Sequence, residues 1–331
     1  MNYYLGVDAG GSKTHALIVN DQGHLQGRGD TGNGNHQTGL QQAEENIALA
    51  CRLALEEAKL TPKDIHFAYF GLAGADREPD FEILRPMIGS LGFPRHKIAC
   101  DTMIAMRAGT SRSYGAVIIS GTGFNAAARN SAGEELQYGG FGYLFGDGQG
   151  SGRSLADFAF RSAIRAWDGR GRPTILQQMV LDTTEFADVP AMLDAALDDR
   201  FSPPLHLAEL VFKAAQLGDA LSIDYLLEEG REHANAVGAL IRRLGMEEEA
   251  FEVVLGGSVL AKSMNNPMID AITEELGRIA PKASIVRITM DPVMGAILSA
   301  MDADNQPASD EVMATLQNIT VSDQKGEIVH E

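Results

Sequence analysis

Leu5-Gly6-Val7-Asp8-Ala9-Gly10-Gly11-Ser12-Lys13-Thr14-His15-Ala16-Leu17-Ile18-Val19 organises this chain. An apolar run, Tyr3 to Val7, meets the carboxylate of Asp8; a glycine turn follows, and a second apolar run, Ala16 to Val19, heads back. Two such runs around a glycine-bearing turn predict a β-hairpin. Gly10 and Gly11 let the turn bend sharply and let a bulky anion approach the backbone. The N–H groups of such a turn form a concave anion site. Asp8, at the strand end, is placed to hold a magnesium ion directly or through water.

Working outward, Asn20-Asp21-Gln22-Gly23 reads as the next turn and 24–30 as a third strand. A glycine- and asparagine-rich loop, Thr31-Gly32-Asn33-Gly34-Asn35-His36, leads into a helix over 40–59. Its small apolar residues (Ala43, Ile47, Ala50, Cys51, Ala54, Ala58) recur at helical spacing. A buried strand over 65–70, an exit loop Gly71-Leu72-Ala73-Gly74, a helix over 81–91 and a short strand over 97–100 follow. That last strand delivers Asp101 to the start of a helix over 102–108.

The pattern then restarts. A strand over 116–120, the turn Gly121-Thr122-Gly123, a strand over 125–129, a turn from Asn130 to Gly133 and a strand over 134–137 repeat the opening order. In both units the second turn begins with Asn and closes with Gly (Asn20 to Gly23; Asn130 to Gly133), which points to an internal duplication of a three-stranded unit. Residues 151–244 read as mostly helical, with Ala220, Ile223, Leu227, Ala234, Val237 and Ile241 forming one long apolar stripe. A strand over 251–255 ends in Gly256-Gly257-Ser258, another covers 284–288, and a helix covers 292–301. Beyond Asp302 the chain is polar and acidic and reads as a loosely held tail. The expected architecture is α/β, with an N-terminal domain over 1–114, a C-terminal domain carrying a helical insertion over 115–302, and a tail over 303–331.

Composition narrows the function. With 331 residues, two domains fit better than one. A net charge of −18, from 27 basic and 45 acidic residues, argues against nucleic acid and anionic membrane as partners. A phosphate site here must therefore rely on backbone dipoles and metal, not on a basic patch. Two cysteines, Cys51 and Cys100, without a CxxC pattern fit a reducing, cytoplasmic setting. Neither a signal-peptide pattern nor an apolar run of membrane-spanning length is present. The sequence leaves homodimerisation open.

Four glycine turns sit at strand ends, over 8–14, 120–125, 140–152 and 256–258, and Asp101 ends a fifth strand. Ligands of open α/β sheets bind beyond the carboxyl ends of the strands. No GxxxxGK[ST] loop or dinucleotide fingerprint occurs. Residues 147–158 fail as a calcium loop because Phe158 stands where the closing acid belongs.

Gly6-Val7-Asp8-Ala9-Gly10-Gly11-Ser12-Lys13-Thr14 resembles the phosphate-1 motif of the actin-like, ribonuclease H-like superfamily that includes many sugar kinases. Ser120-Gly121-Thr122-Gly123-Phe124-Asn125 resembles its phosphate-2 motif, and Leu255-Gly256-Gly257-Ser258-Val259 its adenosine motif. The run Gly140-Phe141-Gly142-Tyr143-Leu144-Phe145-Gly146-Asp147-Gly148-Gln149-Gly150-Ser151-Gly152 is similar to the GWG…GDEGSG segment of N-acetylglucosamine and glucosamine kinases in the BadF/BadG/BcrA/BcrD ATPase group. Asp291-Pro292-Val293-Met294-Gly295-Ala296 resembles that group's closing helix. The match spans about residues 3–302.

The resemblance implies two actin-like domains with a cleft between them, ATP and Mg²⁺ as cofactors, and an amino sugar as the small-molecule substrate. It implies Asp101 as the catalytic base, and Asn35, Asn125, Gly140, Phe141, Gly142 and Asp147 as sugar contacts. Gly10, Gly11, Ser12, Lys13, Gly121, Thr122, Gly123 and Gly257 would bind ATP, with Asp8 near the metal. Phe124, Phe141, Gln37 and Gln149, all near the sugar in that family, depart from the residues usual in the sugar kinases. On the residues alone, Asp101 reads first as a helix cap. Asp147 serves equally as a turn residue, Asn35 as loop filling, and Ser12 and Thr122 as partners of local backbone. A second class on the same fold comprises the ATP-driven activators of 2-hydroxyacyl-CoA dehydratases, whose shared iron–sulfur cluster needs clustered cysteines. A binding-only member that has lost catalysis is a third reading.

Overall fold

The computed structural model describes residues 1–261 and 266–320. The first half runs β1 (Tyr3–Ala9), β2 (Thr14–Asn20), β3 (Leu25–Thr31), α1 (Leu40–Ala58), β4 (Ile65–Leu72), α2 (Glu78–Gly89), β5 (His96–Cys100) and α3 (Asp101–Gly109). The second half opens with β6 (Gly115–Ser120), β7 (Phe124–Arg129) and β8 (Glu135–Gly139). Five helices follow: α4 (Gly152–Trp167), α5 (Leu176–Thr184), α6 (Val189–Leu197), α7 (Ala208–Gln216) and α8 (Ala220–Arg243). β9 (Glu252–Gly256), α9 (Ser258–Ala261), α10 (Pro267–Ile279), β10 (Ser284–Arg287), α11 (Pro292–Ala303) and α12 (Asp310–Gln317) complete it.

Each half contains one five-stranded mixed sheet, ordered β3-β2-β1-β4-β5 and β8-β7-β6-β9-β10. In each, three antiparallel strands join two parallel ones. The two sheets are therefore built on one plan, as the repeated hairpin pattern predicts. Gly10 N–H donates to Lys13 O at 2.8 Å in the first hairpin turn, and Gly121 N–H to Gly123 O at 2.9 Å in the second. Among the described residues no helix is long and apolar enough to cross a membrane.

Three apolar layers hold the sheets. α1 and α2 cover the outer face of the first, and Cys51 is 3% exposed in that core. Helices α4–α8 and α10 cover the outer face of the second. Between the sheets lie α3 and α11, packed against Tyr4, Phe67 and Tyr69 on one side and Val117, Ala127 and Val254 on the other. α11 follows the last strand of the second sheet, yet it lies on β1 and β4 of the first. The approach is so close that a Cβ on Gly6 would stand 2.7 Å from Ile297 N and 2.8 Å from Val293 O. Likewise a Cβ on Gly295 would overlap Ile104 O of α3. Glycine at these two positions is what lets strand and helices touch.

Three expectations change. α2 begins at Glu78, before Phe81, because Asp80 reaches back to the Arg77 backbone N–H and Pro79 suits a first turn. The buried stripe of α8 runs through Ser222, Leu226, Glu229, His233 and Val237; Ala220 is exposed and Leu227 only half-buried. An apolar-periodicity argument assumes that polar residues point outward, and here Glu229 and His233 do not. Finally, residues 303–320 are held firmly. Asp302 pairs with Arg107 at 2.6 Å, Asp304 accepts from Tyr4 at 3.0 Å and pairs with His66 and Arg95, and α12 buries Val312 and Leu316. Residues 321–331 of the expected tail lie outside the described residues.

Candidate active site

The carboxyl ends of the parallel strands β1, β4 and β5 define one wall. Register sets Asp8 opposite Gly71, and Gly71 opposite Ala99, so Asp8 and Asp101 emerge at one edge of the first sheet. Burial pushes the Asp8 carboxyl up to about 7, and the charges of Asp101 and of Asp291, at the start of α11, add to this. Burial also raises Asp101, opposed by the Cys100 thiol that donates to it at 3.2 Å and reinforced by the charge of Asp76. Cys100 is itself raised well above the usual thiol range, chiefly by burial, so it stays a neutral donor. Asp101 is the first residue of α3, after the N-cap Cys100, and its carboxylate also meets the Thr102 backbone N–H, which lowers its pKa against the effect of burial.

Carboxylates pressed together and partly desolvated favour a hard cation with oxygen ligands. Asp8 is the residue best placed to hold one, with Asp101 and Asp291 near it. Among the described residues no three His, Cys, Asp or Glu side chains could enclose a metal unaided. A cation there would complete its shell with water and phosphate oxygens, which is the habit of magnesium.

The first glycine turn is braced by its neighbours. Gly34 N–H donates to Gly10 O at 2.9 Å, Ala73 N–H to Ala9 O at 2.9 Å, and Thr14 Oγ1 to Gly32 O at 2.9 Å. Its tip, Gly11-Ser12-Lys13, is exposed and unobstructed. The second turn is tied to the segment that opens α4: Ser120 Oγ donates to Gly150 O at 2.7 Å, Gly152 N–H to Gly121 O at 2.7 Å, and Arg153 N–H to Thr122 O at 3.3 Å. Gly257 lies on this turn. Its φ is +83°, and a Cβ there would overlap Ser120 O and sit 2.9 Å from Gly121 N. The two are adjacent because β6 and β9 are neighbouring parallel strands, with Ile119 opposite Gly256. Beside them a cavity of about 610 Å³ is lined by Gly121, Thr122, Ser258 and Val259 and, from the helical insertion, by Leu205 and Phe212. An apolar slot next to a glycine turn suits a flat heterocycle attached to a phosphate chain.

On the other side, Asn125 of β7 is opposite Gly139 of β8 and Ala127 opposite Gln137, so Asn125, Gln137 and Gly139 share a face. Gln137 Nε2 donates to Asp76 Oδ1 at 2.7 Å, which turns that face toward the Asp76–Asp101 edge of the first sheet. Asn125 Oδ1 is buried with no partner among the described residues. Gly140 and Gly142 have φ of +84° and +87°, and Asp147 Oδ2 accepts from Phe141 N–H at 3.1 Å, closing the loop on itself. The Phe141 ring is 43% exposed. Asn35 Oδ1 accepts from Gln37 N–H at 2.9 Å, a turn-building role, and faces Gly74. Asp76, Gln137, Leu205 and Phe212 were not expected. Asp76 stands two residues beyond the loop Gly71-Leu72-Ala73-Gly74, and Leu205, 41% exposed, lies just before α7.

Comparison with known proteins places this geometry. The chain is 28% identical to the N-acetyl-D-glucosamine kinase of Dictyostelium discoideum, over 91% of this chain and 98% of that protein. It is 28% identical to the N-acetylmuramic acid/N-acetylglucosamine kinase of Clostridium acetobutylicum, again over 91% and 98%. The solved ROK hexokinase from Thermus thermophilus shares the fold, with a TM-score of 0.58 at 17% identity over 92% of this chain and 99% of that one. The family model of the BadF/BadG/BcrA/BcrD ATPases matches residues 5–300, and the chain belongs to that family.

Proposed function

We propose that this protein is an ATP-dependent kinase that phosphorylates an amino sugar, N-acetylglucosamine or glucosamine, at the 6-hydroxyl. The observation that carries the reading is Asp101: a desolvated carboxylate at the end of β5, beside Asp8, with a glycine turn on each sheet. The names of the curated relatives support the sugar class. A neutral or cationic sugar also suits a chain of net charge −18.

In this reading the sugar lies between the halves 1–114 and 115–302, against Asn35, Asn125, Asp147 and the loop Gly140-Phe141-Gly142. The phosphate chain of ATP lies along Gly10-Gly11-Ser12-Lys13 and Gly121-Thr122-Gly123, with the base beyond Gly257 in the slot of Leu205 and Phe212. Mg²⁺ held at Asp8 would offset phosphate charge. Asp101 takes the proton of the sugar hydroxyl as that oxygen bonds to the γ-phosphorus, the bond to the β-phosphate oxygen breaks, and ADP leaves. A raised pKa makes Asp101 a stronger base than a surface carboxylate, and water excluded from the closed cleft cannot compete as acceptor.

The test is ADP release across a panel of hexoses and hexosamines, run beside Asp101→Asn. Sugar-stimulated turnover that survives the substitution removes Asp101 as the base; turnover with no sugar preference removes the kinase. The activator class finds less support, because Cys51 and Cys100 are both buried and neither can reach out to a shared cluster.

A further inference from the structure

Two titratable side chains buried in the second half take no part in the site above. Glu229 and His233 lie one turn apart in the middle of α8, 3% and 0% exposed. His233 Nδ1 donates to Glu229 O at 2.7 Å, and burial pushes the ring down to about 4, so it is neutral. Glu229 Oε2 and His233 Nε2 have no hydrogen-bond partner among the described residues. An acid in a helix core is costly, and leucine at the same place would not be.

What sits on the pair is Gly150. Its φ is +62°, and a Cβ there would overlap the His233 ring and stand 3.2 Å from Glu229 Oε2. The Gly150 N–H and the Tyr225 hydroxyl face the Glu229 carboxylate. Gly150 O accepts from Ser120 Oγ at 2.7 Å, and Ser120 is the residue from which the turn 121–123 departs. Gly152 and Arg153 hold that turn's carbonyls. One continuous chain of contacts thus runs from α8 through 150–153 to the second glycine turn.

We propose that Glu229, backed by His233, is a positioning residue for the phosphate-binding turn Gly121-Thr122-Gly123, acting through the Gly150 N–H. This rests on the reading that the turn holds the phosphates of ATP. A charged acceptor bonds an N–H more strongly than a neutral one, so the seat is firmest when Glu229 is ionised. Burial pushes Glu229 up to about 7, which puts this change within reach of ordinary assay pH. Its surroundings keep it there. On α8 it faces Tyr225, Glu228, Glu232 and His233, and across the adjoining cavity stand Asp147, Arg153, Asp157 and Arg161. Arg153 is engaged by Asp157 at 2.8 Å. α10 offers Met268 and Ala271, and β7 offers Phe124, none of them charged.

The experiment compares wild type with Glu229→Gln and Glu229→Asp in the full chain. Michaelis constants for ATP and sugar, and kcat, are measured from pH 6 to 8.5. Glu229→Gln keeps an acceptor but cannot ionise; Glu229→Asp keeps the charge but withdraws it by one methylene and serves if the first variant does not fold. The expected result is an ATP Michaelis constant about five-fold above wild type for Glu229→Gln at pH 8.5, converging on wild type at pH 6. The sugar constant and kcat move less than two-fold. Glu229→Asp raises the ATP constant at pH 8.5 as well. Using the ratio of variant to wild type removes the pH dependence of ATP itself. A ratio that does not change with pH, or a loss confined to kcat, overturns the proposal. Hydrogen exchange over 121–124 and 147–153 gives a readout that needs no turnover: faster exchange in Glu229→Gln at pH 8.5 is expected, and unchanged exchange overturns the positioning role. Wild type that turns over no sugar but shows this exchange difference would sink the kinase and leave the seat standing.

Discussion

Gln137, on β8 of the second sheet, donates across 2.7 Å to Asp76, in the loop that follows β4 of the first. The contact fixes Asp76 where its charge raises the carboxyl of Asp101. Asp76→Asn keeps an oxygen for Gln137 and removes the charge, so Asp101 loses a proton more readily. The acidic limb of the kcat/KM profile is expected to move down by about half a pH unit. A pH–rate titration checks this, and an upward move would count against Asp101 as the titrating base.

Asp101→Asn is expected to lower kcat by roughly 10²- to 10⁴-fold, the usual contribution of a positioned general base. Calorimetric titration with a non-hydrolysable ATP analogue should show nucleotide affinity within a few-fold of wild type, because the glycine turns are untouched.

Asp8 ties activity to stability with opposite signs. Its folded pKa of about 7 exceeds the ordinary aspartate value of 3.8, so the native state binds this proton more tightly than the unfolded chain does. That relative stabilisation is present at low pH and is lost as pH rises between those two values. Asp8→Asn cannot ionise. It should melt higher than wild type at pH 8, by a margin on the order of a few kcal/mol in unfolding free energy, with the difference shrinking toward pH 4. The same variant should lose turnover. Melting curves at the two pH values, each beside an activity assay, decide the matter.

Gly257→Ala adds a methyl group that overlaps Ser120 O at a φ of +83°. The turn must shift or the chain must strain, at a cost of about 1–3 kcal/mol. Because the displaced atoms belong to the 120–121 backbone, the Michaelis constant for ATP should rise more than that for sugar. Steady-state kinetics with each substrate varied in turn makes the comparison.

Arg107 and Asp302 pair at 2.6 Å with side chains 3% and 8% exposed, and Arg107 also donates to Thr110 O at 2.8 Å. Arg107→Ala strands a buried carboxylate and should cost roughly 3–5 kcal/mol in urea denaturation. Replacing both partners, Arg107→Met with Asp302→Leu, should recover most of it, since no charge is then left unpaired.

The duplicated hairpin was legible because its signals are local: apolar run, glycine turn, apolar run, twice in the same order. Asp8 and Asp101 were legible for the same reason, each standing at the end of an apolar strand. What the sequence hid is long-range. In α11 every residue from Val293 to Met301 is buried, and such a run announces an interior helix without saying which sheet it covers. Asp76 meets its partner Gln137 only because two sheets face each other, and Leu205 meets Gly121 only because the helical insertion folds back. Glu229 and His233 broke the periodicity argument by being polar inside.

The placement of α11 also sets an order of assembly. Tyr4, Phe67 and Tyr69 on the inner face of the first sheet are covered in large part by residues 293–301. Residues 293–301 must therefore leave the ribosome before this inner face of the first sheet is shielded from water. A nascent chain halted near residue 290 would carry a bare aromatic sheet face, and synthesis of this protein is expected to lean on chaperones until α11 emerges.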